Sequence, residues 1–234
     1  MNTRALTLHQ KIGHLLELTS GHYLASSGLE FIGSASNEHG AGARAVVQQI
    51  ERGVATAKAH GNQAMKILLN GSPGIGKTGI ALYLSRLLGC NKWSTTKLNG
   101  TQVKMDKLDE IEAQLHYKSL FGDYRLVNVE EADTIPSTAQ VRFLTLLDDL
   151  PPGVVVVCTS NCKISDFEVR FQSRFQVYDL IPPTAAEIEA LLCDYVPAKE
   201  ARHIATFCCG NVRSALLDAL GICQAQPTPA LALA

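Results

Sequence analysis

The stretch that most constrains this chain is Met65–Leu88, MKILLNGSPGIGKTGIALYLSRLL. An apolar run, Ile67-Leu68-Leu69, leads into Gly71-Ser72-Pro73-Gly74-Ile75-Gly76-Lys77-Thr78, and an apolar helical pattern follows. The octet has the G-x-x-x-x-G-K-[ST] spacing of a phosphate-binding loop, in the strand–loop–helix setting that the motif needs. Its glycines let the backbone curl until successive N–H groups point inward at the start of a helix, which makes a nest for an anion. Lys77 supplies a mobile positive charge for the β- and γ-phosphates, and the Thr78 hydroxyl is a ligand for Mg²⁺. A plain glycine turn is the simpler reading of such a loop. The complete octet in this setting favours a nucleoside triphosphate.

Composition adds mostly exclusions. With 234 residues, 46% hydrophobic and 18% charged, the chain has the make-up of a globular protein long enough to bury a sizeable core. A net charge of −1 gives no bulk attraction to nucleic acid, although it allows a local basic patch. His9, Lys11 and His14 interrupt the apolar positions near the N-terminus, so no signal-peptide core forms, and no run of about eighteen apolar residues predicts a membrane span. The seven cysteines are odd in number and contain no C-x-x-C pair. Buried reduced thiols are favoured over zinc or disulfides, which predicts a cytoplasmic protein.

In chain order, Leu8, Ile12, Leu15 and Leu16 share one helical face, and residues 21–42 read as a connector containing the apolar island Phe31-Ile32-Gly33. A helix over 43–59 precedes the phosphate-loop strand and its helix, with Gly89 as the stop signal. Further strands are predicted within 93–100 and over 124–129, 154–158 and 175–180. Helices are expected over 106–120, after Pro136 (placed at N1, burying Val141, Leu144 and Leu147), and over 164–174. Beyond Pro182-Pro183 the pattern is helical: 184–194, 197–207 and 211–222. Strands alternating with helices predict a parallel sheet covered on both faces, followed by a small helical appendage. The expected division is 1–30 for an N-terminal helix and connector, 31–181 for the α/β core, 182–223 for the helical lid and 224–234 for a disordered tail.

Further polar residues fall where such a sheet collects its ligands, at the C-terminal ends of strands. Glu130-Glu131 closes one buried strand: one carboxylate suits Mg²⁺ and its neighbour suits the attacking water. Asn161 tips the next strand. Arg174 precedes the last strand, and Arg213 opens the last helix of the appendage. Each alone is an ordinary turn residue or surface charge; they gain meaning as a set.

The ordered set resembles the AAA+ ATPases, and within them the clamp-loader subunits such as the small subunits of replication factor C. The likeness runs from about Phe31 to Leu217. It is carried by Leu98-Asn99-Gly100, Glu130-Glu131-Ala132-Asp133 with Ala139-Gln140, Cys158-Thr159-Ser160-Asn161, Ser173-Arg174-Phe175 and Gly210-Asn211-Val212-Arg213. The resemblance implies a P-loop NTPase fold with a parallel sheet flanked by helices and a small all-α lid. It implies ATP and Mg²⁺ as cofactors, the latter held by Thr78 and Glu130. Glu131 becomes the catalytic base, Asn161 sensor 1 and Arg213 the cis sensor 2 arginine. Arg174 becomes an arginine finger inserted into a neighbouring subunit's site, and Phe31 and Ile32 help wall the adenine pocket.

Two departures from the family stand out. Glu130 replaces its aspartate, one methylene longer, and no helical collar follows the lid, so a ring or spiral would be held by the ATPase cores, the N-terminal helix or another protein. The implied function is an ATP hydrolase that works between subunits, copies of itself or homologous AAA+ chains. In its most specific form it is a clamp or helicase loader in DNA replication or repair, meeting DNA and a sliding clamp or helicase. A remodeller of a protein partner, or a slowly hydrolysing ATP-dependent scaffold, are the alternatives.

Overall fold

The computed structural model describes residues 7–20, 25–117, 122–162 and 167–225. Among them the strands form one seven-membered sheet. Five run parallel at its centre: β3 (Met65–Gly71), β4 (Thr95–Asn99), β5 (Arg125–Glu130), β6 (Val154–Ser160) and β7 (Gln176–Leu180). A hairpin of two-residue strands, β1 (Ser36–Asn37) and β2 (Gly40–Ala41), adds to the β7 edge, giving the order β1-β2-β7-β3-β6-β5-β4 with only β1–β2 antiparallel. The sequence reading placed this hairpin inside a connector. Its Asn37 side chain closes the turn by accepting from the His39 N–H at 2.8 Å. Gly40 has to be glycine: a Cβ there would lie 2.2 Å from the Asp179 carbonyl oxygen of β7.

The sheet separates two cores because side chains alternate along each strand. Ile67 and Leu69 of β3, with Val155 and Val157 of β6, pack under α2 (Ala43–Ala59) and α3 (Lys77–Leu87). Leu68, Val127, Val129, Val154 and Val156 pack on the opposite face under α4 (Met105–Leu115) and α5 (Ser137–Asp148). Every residue of β6 is buried, as a central strand covered on both faces requires. None of the seven cysteines forms a disulfide, and burial pushes the Cys158 thiol well up from its ordinary value.

Beyond β7 come α7 (Ala185–Leu192), α8 (Ala198–Phe207) and α9 (Val212–Ala225), built around Ile188, Leu192, Ala201, Ala215 and Ala219. Leu15 of α1 (Leu8–Thr19) is fully buried in that same cluster. The Tyr195 hydroxyl and His14 Nδ1 meet at 2.8 Å across the junction. The first helix of the chain therefore completes the lid's core.

Several local expectations need correction. Leu16 is 48% exposed, because α1 buries only the narrower stripe through Leu8, Ile12 and Leu15. Val141 is 63% exposed; the buried side of α5 runs through Ala139, Phe143 and Leu147. At 100° per residue Val141 lies about 240° round the helix from Leu147. Pro136 is the N-cap of α5 rather than its first residue. The helix expected from 106 ends at Leu115. Within 164–174 the helix described is α6 (Val169–Gln172), residues 164–166 lying outside the described residues. Residues 224 and 225 belong to α9, and the rest of the expected tail is outside the described residues. No helix among the described residues is long and apolar enough to cross a membrane.

Candidate nucleotide-binding site

Side chains from β3–α3, β4, β5, β6, α1 and α9 converge on one cleft of about 470 Å³ at the C-terminal edge of the sheet. The loop after β3 is its floor. Gly76 sits in the left-handed region (φ 104°) and caps α3 without any side-chain hydrogen bond, so the first-turn N–H groups of that helix stay open towards the cleft. Lys77 is 7% exposed and donates to the Gly71 and Ser72 carbonyls at 2.6 and 2.7 Å. An ammonium has three donors, so one remains for a ligand. Burial lowers the Lys77 pKa to about 8, opposed by the Asp133 carboxylate and assisted by the Arg213 guanidinium.

The loop also touches the lid. The Arg213 backbone N–H donates to the Gly74 carbonyl at 3.1 Å. Asn211 caps α9 by accepting from the Ser214 N–H at 3.0 Å. A Cβ on Gly74 would lie 2.0 Å from Asn211 Oδ1, and Gly74 itself has φ 79°. Glycine at this position is what allows the phosphate loop and the start of α9 to meet.

The acidic pair lies across from Lys77. Glu131 is in the left-handed region at φ 54°, unusual for a residue with a side chain. It is held there by Thr134, whose N–H and hydroxyl both donate to the Glu131 carbonyl at 2.8 Å, and by its own N–H on Thr159 Oγ1 at 3.3 Å. Asn99 Nδ2 donates to Glu131 Oε2 at 2.8 Å. Glu130 is paired with Lys97, whose Nζ lies 3.1 Å from Oε1. Asn161 lines the cleft, with its N–H on Asp133 Oδ1 at 3.3 Å.

Of the residues expected from the sequence, the cleft gathers Pro73, Gly74, Gly76, Lys77, Thr78, Glu130, Glu131, Asn161 and Arg213. Gly71 and Ser72 serve it through their carbonyls, and Ile75 is buried in the core below. Phe31 and Ile32 straddle the seam: the Phe31 ring packs edge-on to Tyr83 at 5.7 Å in the α/β core, while Ile32 joins the lid cluster. The apolar wall of the cleft is made by Leu18, Leu82, Val212 and Leu216.

Arg174 is not part of the cleft lining. Its guanidinium makes a two-pronged contact with Asp148 (Nε–Oδ1 2.8 Å, Nη2–Oδ2 2.7 Å) and donates through Nη1 to the Arg170 carbonyl at 2.8 Å. Lys97 and Leu18 are cleft residues that sequence reasoning did not single out, and Thr159 entered it only as part of the segment Cys158–Asn161. Alternation along β4 puts Lys97 and Asn99 on one face, but only the β4–β5 register reveals that this face meets the acidic pair.

No protein-family model matches the chain, and no curated protein matches it in sequence. Solved structures do match in three dimensions. The Thermotoga maritima RuvB Holliday junction branch migration motor superposes with a TM-score of 0.59 at 19% identity, over 74% of this chain and 59% of that one. A point variant of the same protein reaches 0.66 at 18% identity, over 83% and 64%. A DNA polymerase III gamma subunit-related protein, also from Thermotoga maritima, gives 0.52 at 16% identity, over 68% and 57%. The fold shared with them is a mostly parallel sheet flanked by helices, with a helical region after its last strand. At these identities the likeness shows the fold alone, and the chain spans less than two thirds of the chain in each of these three structures.

The oxygen donors of the cleft fit Mg²⁺. Thr78 and Glu130 face the same space, Glu130 Oε1 is buried without a well-formed hydrogen bond, and such ions are held by one or two carboxylates together with phosphate oxygens. Among the described residues no group of three or more His, Cys, Asp or Glu side chains is placed to hold a metal ion.

Proposed function

We propose that the chain binds ATP in this cleft and hydrolyses it, with full activity when two subunits meet. The observation that carries the reading is the convergence of Lys77, Thr78, Glu130, Glu131, Asn161 and Arg213 on one cleft from the loop after β3, the ends of β5 and β6, and the lid. The open N-terminus of α3 and Lys77 bind the phosphates, and the apolar wall takes the base. Glu131 accepts a proton from water as its oxygen adds to the γ-phosphorus and the bond to the ADP oxygen breaks. Asn161 orients that water, and Arg213 and Lys77 oppose the negative charge spreading over the γ-phosphoryl oxygens. Thr78 and Glu130 would hold Mg²⁺, which would supply positive charge against the phosphate oxygens.

Arg174 serves a neighbour. Its position outside its own cleft supports a role in trans, where an arginine is worth about 10³–10⁵ in rate in other P-loop enzymes. Copies or homologous AAA+ subunits would then stack head to tail, as a ring or spiral. The further reading is a loader or motor acting on DNA in replication or repair, in the manner of clamp-loader or helicase-loader subunits. It is supported by the fold shared with a branch migration motor and a polymerase III gamma-related protein.

The test mixes two inactive variants. Arg174→Ala keeps its own pocket, and Lys77→Ala keeps its finger, so mixing them should restore part of the turnover that each lacks alone. Arg213→Ala acts in cis and should not be rescued by Lys77→Ala. Running the wild type with and without single- and double-stranded DNA reads the DNA-dependent part. Turnover per subunit that is the same for dilute monomers and for assemblies would exclude the finger in trans.

A further inference from the structure

Strands β4 and β5 lie side by side and parallel, with Lys97 opposite Asn128 and Asn99 opposite Glu130. Glu130 is two residues beyond Asn128, so Lys97 and Glu130 are diagonal neighbours on one face of the sheet, within reach for a long side chain. The Lys97 ammonium closes that diagonal at 3.1 Å from Glu130 Oε1. The two adjacent carboxylates of β5 are thus met differently by β4. Glu131 receives a neutral amide from Asn99, which leaves its charge available, whereas Glu130 receives a full positive charge.

Both Lys97 and Glu130 line the cleft with Lys77 and Thr78. The Lys97 side chain is 48% exposed and that of Glu130 23%. The flexible four-carbon stem of Lys97 therefore has open space to swing into. The contact itself is a simple ion pair: Oε1 has no hydrogen bond of good geometry. An ammonium and a divalent cation repel one another, so each weakens the hold of the other on that carboxylate.

We infer that Lys97 is a built-in competitor for the metal at Glu130. The ammonium neutralises the carboxylate before nucleotide and metal arrive, and its charge opposes Mg²⁺ there until it swings away. The inference rests on the reading of Glu130 as the metal carboxylate. Its consequence is a nucleotide affinity that depends less on Mg²⁺ than a bare carboxylate at this position would give.

The experiment titrates a fluorescent ADP analogue in excess chelator and in saturating Mg²⁺, and takes the ratio of the two dissociation constants. ADP is used so that no turnover enters the reading. Lys97→Gln should raise the ratio about two- to fivefold, the range that a half-exposed ion pair supports. Lys97→Met, uncharged and of similar length, should do the same, and Lys97→Arg should stay near the wild type. The double variant Lys97→Gln/Glu130→Gln should match Glu130→Gln alone. A ratio unchanged or lowered by Lys97→Gln, with Glu130→Gln still lowering it, overturns the competitor and leaves the metal carboxylate standing. A ratio unmoved by Glu130→Gln removes both.

Discussion

Arg213 in the cleft and Arg174 on the flank of the sheet are the same residue type in opposite circumstances. Arg213 opens α9 with its backbone bonded to Gly74 of the phosphate loop, and its side chain forms no hydrogen bond or ion pair among the described residues. Arg174 has all three guanidinium nitrogens engaged, forked on Asp148 and tied to the Arg170 carbonyl. That hydrogen bond to Arg174 holds the Asp148 carboxyl below the usual carboxylate range. A cation kept for a ligand in its own cleft is left without a protein partner. On the proposed reading, the Asp148 fork neutralises Arg174 until a neighbouring subunit meets it.

The largest way to break this contrast is Lys77→Ala. Phosphate charge in the nest then loses its nearest cation, and ADP and ATP affinity should fall by about 100-fold or more, since hydrogen bonds to charged groups are the strong ones. Calorimetric titration checks it. Arg174→Ala, by contrast, should leave that affinity within about twofold of the wild type, because the flank makes no contact with its own nucleotide. A large loss of affinity there would erase the distinction between the two regions.

A smaller effect follows from the depressed Lys77 pKa. With a value of about 8, the free protein loses the Lys77 proton as pH rises through 8, while bound phosphate holds it on. Affinity for ADP should therefore be flat below pH 7 and fall about tenfold per pH unit above 8. Binding near pH 9 should take up about one proton, measurable by calorimetry in buffers of different ionisation enthalpy.

The smallest effect sharpens the flank. Asp148→Asn removes the fork on Arg174 without touching the cleft. Nucleotide affinity should be unchanged, and the protein concentration that gives half-maximal turnover should fall about two- to fivefold, the scale of a partly exposed ion pair. A rise in that concentration would mean that Asp148 positions Arg174 for its neighbour instead of restraining it.

The sequence by itself determined the strand–loop–helix of the phosphate site, because eight consecutive residues carry both its geometry and its chemistry. It also determined the order of the five longer strands and their helices, since burial of β6 on both faces and of α2 on one leaves a local apolar pattern, which the two-residue strands β1 and β2 are too short to carry. The roles expected for Glu131, Asn161 and Arg213 needed a family resemblance, as a single carboxylate, amide or guanidinium has no local signature. Only the tertiary structure decided which β4 residues face the acidic pair, for parallel register is fixed between strands and not along one. Lys97 and Asn99 emerged there. The placing of α1 in the lid core, and of Leu18 in the cleft wall, was decided in the same way. An amphipathic helix shows that it has a buried face, but its partner is chosen by packing between segments distant in the chain.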